Sequence, residues 1–308
     1  MMIHKQEIAL FAAVLSLISV QVGAAFAKML FPILGAETVA LVRLGLSAVF
    51  LWIVFQPWKT FRQNSMEWKD LFCYGVILSL MNLLIYKAFS YMSVGIAISI
   101  EVLGPLAVAI FMSRNKSDFV WGGLSLIGLI LFPLGKVDNN FSYIGMLYAL
   151  GAAICWGLYI IYGTKVAKGG SNTVAIGMMI ATLCIVPFGI SNVGQAFSTY
   201  EVFGLCIVVS LLSSCIPFLL DIFAMKRLSP KIFGVLLSAS PVVSALAGWF
   251  ILGENLNLYQ ITGVSIIMAS CAGFFYCSYQ KTVVAQTCRL GLFITVEAGQ
   301  DCAYKRHD

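Results

Sequence analysis

The chain has 308 residues, of which 60% are hydrophobic and 10% charged, with a formal net charge of +6. Soluble domains carry roughly 25% charged residues, and one soluble core cannot hide this much apolar surface, so a water-soluble enzyme is excluded. The mean hydropathy of +0.95 makes lipid the solvent for the outer faces. The excess of Lys and Arg reads as cytoplasmic-loop bias, not nucleic-acid binding, because no basic run carries interleaved aromatics.

Apolar runs long enough for membrane helices, about 20 residues each, recur at 8–30, 36–56, 70–91, 94–112, 118–135, 142–163, 174–193, 201–223, 232–252 and 257–279. Alternating strands of about ten residues, the mark of a membrane barrel, are absent. In the first run, Lys5, an apolar stretch and Ala25-Phe26-Ala27 imitate a secretory signal with its cleavage site. The apolar stretch continues to Phe31, and Gln21 and Lys28 do not suit a signal, so it is read as a retained first span.

Loop charges orient the spans. With Lys5 in the cytoplasm, the same side receives Lys59, Arg62 and Lys69, then Arg114 and Lys116, then Lys165 and Lys168, then Lys226, Arg227 and Lys231, and finally Lys281. On the opposite side only Lys136 appears. This alternation predicts ten spans with both termini cytoplasmic.

The two halves repeat weakly. Ala88 through Pro105 aligns with Ala224 through Pro241, setting Ser93 on Ser229 and Pro105 on Pro241. Gly122 and Gly123 mark the helix that follows in the first half, and Gly263 marks its counterpart. Five spans per half force opposite orientations, and inverted repeats place a transporter's substrate near the midplane between them. The expected fold is therefore all-α integral membrane, with ten transmembrane helices as two inverted five-helix repeats. The repeats span 8–139 and 140–280, and a cytoplasmic tail, disordered or a short surface helix, fills 281–308.

Ionisable groups inside spans are functional candidates by default. Glu101 is the sharpest: it lies mid-span, and Pro105 four residues on has no N–H for its carbonyl. One turn thus offers a carboxylate and a free carbonyl, with Gly104 allowing close approach, to an ammonium group or a proton. The competing reading makes Glu101 a structural partner of Lys28 or Arg43. Arg43 could pair with Glu101 or meet a substrate carboxylate. Ser79, Asn82, Tyr86 and Ser90 form one polar helical face, read as cavity lining or as inter-helix bonding. Gln21, Trp156 and Tyr159 could complete a pocket wall. Ser238 and Ser240 precede the second break at Pro241, in the half opposite Glu101 in the pseudo-symmetry. Asp221, followed by Lys226 and Arg227, reads as an interfacial salt bridge, and Lys87 as a snorkelling residue. Seven cysteines in or beside spans lack CxxC spacing, and the only histidines are His4 and His307. No metal and no cofactor are expected, and no GxxxxGK[ST] motif supports an ATP-driven pump.

Several stretches resemble the EamA branch of the drug/metabolite transporter superfamily, and within it the threonine/homoserine exporters. They are Ser19 to Lys28, Val94 to Ala97 with Glu101 to Ala109, Thr173 to Gly177, Phe233-Gly234 and Leu252-Gly253-Glu254. The resemblance covers residues 8–280. It implies the ten-helix inverted-repeat fold and export of small amino acids or related metabolites across the bacterial inner membrane, coupled to protons. The exporter pattern has an acidic residue where Ser240 stands here, which separates the two halves of the site. Rival readings are uptake of S-adenosylmethionine or a nucleotide-like solute, a membrane-embedded lipid enzyme, and a passive channel. The stretch 287–308 resembles nothing identifiable.

Overall fold

The protein is described from a computed structural model, which describes residues 2–59, 68–112, 118–134, 141–166, 171–225, 227 and 236–289. Among these residues every regular element is helical. The helices are α1 (Met2–Met29), α2 (Ala36–Phe55), α3 (Trp68–Tyr91), α4 (Val94–Phe111) and α5 (Phe119–Leu134). They continue as α6 (Tyr143–Val166) and α7 (Ser171–Gly189). Next comes α8, built of Tyr200–Ser210, a π-helical turn Leu211–Cys215 and Ile216–Met225. Last are α9 (Ser240–Leu252) and α10 (Leu258–Arg289). Eight are long and apolar enough to cross a membrane, while α5 and α9 are apolar but shorter. Of the predicted span 232–252, residues 232–235 lie outside the described residues, and α9 covers 240–252 with Pro241 in its first turn, where a proline is tolerated.

Large apolar side chains such as Phe11, Phe111, Val120, Leu147 and Phe250 point outward and stay exposed. In water such a surface would aggregate; in lipid it is the solvated face. The first nine residues of the 281–308 tail extend α10 to Arg289, and 290–308 lie outside the described residues. So do Arg62, Arg114, Lys116, Lys136, Lys168, Lys226 and Lys231, on which the orientation rests.

Packing pairs the helices across the middle of the chain. α2 lies on α7, α4 on α9 and α5 on α10. α3 packs on α6 as α1 packs on α8, and α4 packs on α6 as α9 packs on α1. Small residues permit the close crossings, as expected where lipid gives no hydrophobic drive between helices. A Cβ on Gly128 would lie 2.9 Å from the Gly263 carbonyl oxygen, and one on Gly263 would lie 2.8 Å from the Gly128 carbonyl oxygen. A Cβ on Gly104 would fall onto the Ala153 carbonyl, so α4 meets α6 backbone to backbone.

Two helices are interrupted, each at a proline. α4 breaks at Val102, between Val94–Glu101 and Leu103–Phe111, one turn before Pro105. In α8 the Ile216 N–H bonds the Leu211 carbonyl, five residues back. In that register Pro217 should serve Leu212, but it has no N–H. Ser19 of α1 supplies the missing donor, its hydroxyl lying 2.7 Å from the Leu212 carbonyl oxygen. Ser16, one turn earlier, donates to the Pro217 carbonyl at 3.3 Å.

One polar cluster ties three segments at the ends of α1, α3 and α9. Lys28 Nζ donates to Glu254 Oε1 and to the Met92 carbonyl, both at 2.7 Å. Glu254 Oε2 accepts from the Val94 N–H at 2.9 Å. Lys28 is therefore Glu254's partner and not that of Glu101. Lys87, expected to snorkel, instead pairs with Glu37 of α2. A carboxylate losing its cation in this partly buried setting loses about 1–3 kcal/mol. Lys28→Met and Glu254→Gln are each expected to lower the unfolding midpoint of the detergent-purified protein. The double variant should lose less than the sum, and strict additivity in the melting data would show that the two do not interact.

Candidate functional site

A cavity of about 300 Å³ lies between the two halves of the chain. α1, α2, α3 and α4 contribute from one side, and α6, α7 and α8 from the other. Its walls include Gln21, Arg43, Asn82, Tyr86, Glu101, Trp156 and Tyr159, all expected from the sequence. On α3 the lining face is Leu78, Met81, Asn82, Ile85, Tyr86 and Phe89. Ser79 and Ser90 stand to either side of it; Ser90 donates back to the Tyr86 carbonyl at 3.4 Å.

Arg43 is held in place but not used up. Its Nη2 donates to Asn82 Oδ1, and Asn82 Nδ2 in turn donates to the Leu78 carbonyl at 2.7 Å. The guanidinium carbon lies 5.0 Å from the centre of the Tyr86 ring, within cation–π range. Arg43 Nε has no partner. Glu101 is 7% exposed, and among the described residues it forms no ion pair. Arg43 supplies the positive charge that acts on it. The Gln21 Oε1 is also buried without a hydrogen-bond partner among the described residues, and the Tyr86 and Ser213 hydroxyls lie beside each other. Buried polar groups are almost always bonded. Unbonded polar atoms of Gln21 and Arg43 facing one cavity beside the acidic Glu101 make this cavity the candidate binding site.

Tyr159 and Tyr74 close one wall, with ring centres 5.0 Å apart and hydroxyls bonded at 3.0 Å. A second, small void of about 30 Å³ lies between the α4 interruption, at Val102 and Pro105, and the residues just before α9, Leu237 and Ser238, with Trp156 shared with the main cavity. Gly104, Pro105 and Pro241 shape the helices and do not line the main cavity. Ser240 does not line it either. Its hydroxyl donates to the Leu237 carbonyl at 2.6 Å, satisfying an acceptor left open by Pro241, so its expected ligand role is corrected to a capping one.

Asp221 also departs from expectation. It lines the cavity, half-buried. Arg227 does not pair with it; that guanidinium stacks 3.9 Å from the Phe223 ring centre and donates to the Phe223 carbonyl at 3.1 Å. Lys226 lies outside the described residues. Ser213 and Ser214 are further lining residues that sequence reasoning missed. Their signal was a Ser-Ser pair followed by Pro217 within an apolar run. No group of three or more His, Cys, Asp or Glu side chains able to hold a metal occurs among the described residues.

The EamA-like transporter family matches residues 143–276. The threonine/homoserine exporter RhtA of Escherichia coli (strain K12) is 40% identical over 257 residues, 83% of this chain and 87% of that one. The threonine/homoserine exporter RhtA of Salmonella typhimurium (strain LT2) is 38% identical with the same coverage. An uncharacterized transporter, YxxF, of Bacillus subtilis (strain 168) is 24% identical over 72% of this chain and 75% of its own. A solved crystal structure superposes with a TM-score of 0.57 at 17% identity, covering 85% of this chain and 94% of that one; it bears on the fold alone.

The cavity's extent is testable by thiol labelling in a background with native cysteines replaced by serine. Gln21→Cys and Ser213→Cys are expected to react with a small water-soluble thiol reagent in intact membranes. Ser240→Cys and Ser79→Cys are expected to stay unreactive. Equal labelling of all four would contradict the assigned lining.

Proposed function

Since this chain belongs to the EamA-like transporter family, we propose that this multi-pass membrane transporter exports small zwitterionic amino acids across the bacterial inner membrane, coupled to protons. The observation that carries the reading is the cavity in which the Glu101 carboxylate and the Arg43 guanidinium stand without an ion pair among the described residues. Glu101 would take the substrate ammonium or, in its absence, a proton. Arg43, steadied by Asn82 and Tyr86, would take the carboxylate through its free Nε. Gln21 and Ser213 would bond the remaining polar atoms. A volume near 300 Å³ is at the small end of ligand sites, which run to about 1,000 Å³, and that favours a solute of few heavy atoms over a nucleotide-like one. The relatives named for threonine and homoserine export give the same direction and cargo.

The chain would work as ten spans in two inverted repeats, 8–139 and 140–280, with both termini cytoplasmic. The exchange-symmetric packing of α1 to α5 against α6 to α10, and the reciprocal approach of Gly128 and Gly263, support that division. Access would alternate by rocking the repeats about the breaks at Pro105 and Pro241.

In proteoliposomes, wild-type protein is expected to move labelled threonine against an imposed proton gradient. Glu101→Gln should lower coupled flux roughly 10- to 100-fold, as for loss of one charged hydrogen bond, with normal insertion. Wild-type flux and pH dependence in that variant would remove Glu101 from the mechanism. Failure of threonine and homoserine to move while a nucleotide-like solute does would overturn the cargo.

A further inference from the structure

The structure assigns Asp221 a role in choosing what enters the cavity: a carboxylate at the mouth that draws in solutes led by an ammonium group and turns away anions. The inference rests on the proposed transport reading and orientation, which turn this end of α8 to the cytoplasm.

Asp221 lies one turn before the end of α8 at Met225, and it faces the cavity that also holds Glu101. The π-helical turn at Leu211–Cys215 puts it there. One extra residue in a turn rotates everything downstream by about 100° relative to a regular helix, and π-turns of this kind gather at functional sites. Ser213 within the turn, then Pro217 and Asp221 beyond it, follow at spacings of four and all line the same cavity. α1 holds the bulged register through Ser19 and Ser16, so the placement of Asp221 is built and not incidental.

The polar and titratable groups around it come from five helices. Ser16 of α1 stands beside the carboxylate, its hydroxyl proton given to the Pro217 carbonyl. Tyr159 of α6, bonded to Tyr74 of α3, feels its charge. Arg43 of α2 and Glu101 of α4 lie in the same cavity. Arg227, the basic neighbour in sequence, is bound to Phe223 instead. The lining therefore carries two carboxylates and one guanidinium. Low-dielectric walls focus the field of such a cleft and raise the local concentration of a matching ion by tenfold or more. A zwitterion then arrives ammonium first at Asp221 and is passed inward to lie between Glu101 and Arg43. An N-acylated amino acid or a 2-hydroxy acid carries only the negative charge and is opposed at the mouth.

Sidedness tests this. Threonine uptake into inside-out vesicles reads the cytoplasmic face, and threonine counterflow in right-side-out vesicles reads the other. Asp221→Asn is expected to raise KM roughly tenfold on the cytoplasmic face with the maximal rate kept, to leave the outer-face KM unchanged, and to lose the salt dependence of the cytoplasmic KM. It should also narrow the preference for threonine over N-acetylthreonine. Asp221→Glu is expected to behave as wild type, which separates loss of charge from loss of fold. An equal rise on both faces, or no change on either, overturns the assignment. Glu101→Gln should weaken transport from both faces. If wild-type vesicles move no amino acid at all, the transport reading fails and not the placement of Asp221 alone.

Discussion

A charged side chain in the middle of a bilayer is disfavoured by at least about 2.5–3.5 kcal/mol unless something offsets it, and this bundle is organised around the few it contains. Lys28 and Glu254 meet across 226 residues of chain, and Lys87 meets Glu37. Both pairs join the ends of helices and are satisfied. Arg43, Glu101 and Asp221 are different. They face a shared cavity, and neither carboxylate has a cation bound to it among the described residues. Buried polar atoms of Gln21 and Arg43 that lack a partner among the described residues thus face one cavity, beside space for a small solute. That contrast between satisfied ends and an unsatisfied centre is what turns a helical bundle into a candidate binding protein.

The backbone follows the same logic. Irregular backbone at membrane depth is tolerated where protein groups satisfy it. Pro217 strands the Leu212 carbonyl, and Ser19 answers it. Pro241 leaves the Leu237 carbonyl open, and Ser240 answers it. Pro105 removes the donor for the Glu101 carbonyl, and the helix yields one turn earlier at Val102. The Pro217 break lines the cavity, and the α4 break lines the small void beside it, which shares Trp156 with the cavity, so two of the points where helices can bend adjoin the site. A transporter that alternates access needs that coupling.

Much of this was legible in the sequence. Apolar run length placed eight spans within a few residues of the observed helices, because span length is dictated by bilayer thickness. A lone carboxylate four residues before a proline marked Glu101, and helical spacing brought Asn82 and Tyr86 to one wall. Three things were not legible. The π-helical turn in α8 shifts register by one residue, and no residue pattern announces it, so Asp221 was assigned to an interfacial ion pair. Ser240 stood just before the second break, in the half opposite Glu101, yet local capping claimed its hydroxyl. The partner of Lys28 could not be read because it lies in the other half of the chain, and pairing at that distance is decided only by the packing of α1, α4 and α9.

The central claim is that one cavity binds both charges of a zwitterion, the ammonium at Glu101 and the carboxylate at Arg43. Equilibrium binding to the detergent-purified protein tests it most directly, using threonine, N-acetylthreonine and threonine amide. The account predicts that threonine binds and that removing either charge weakens binding at least tenfold, a difference of about 1.4 kcal/mol. It also predicts that Glu101→Gln removes the penalty for N-acetylation and leaves the penalty for amidation. If either blocked analogue binds wild-type protein as well as threonine does, the cavity does not read a zwitterion and the account is wrong.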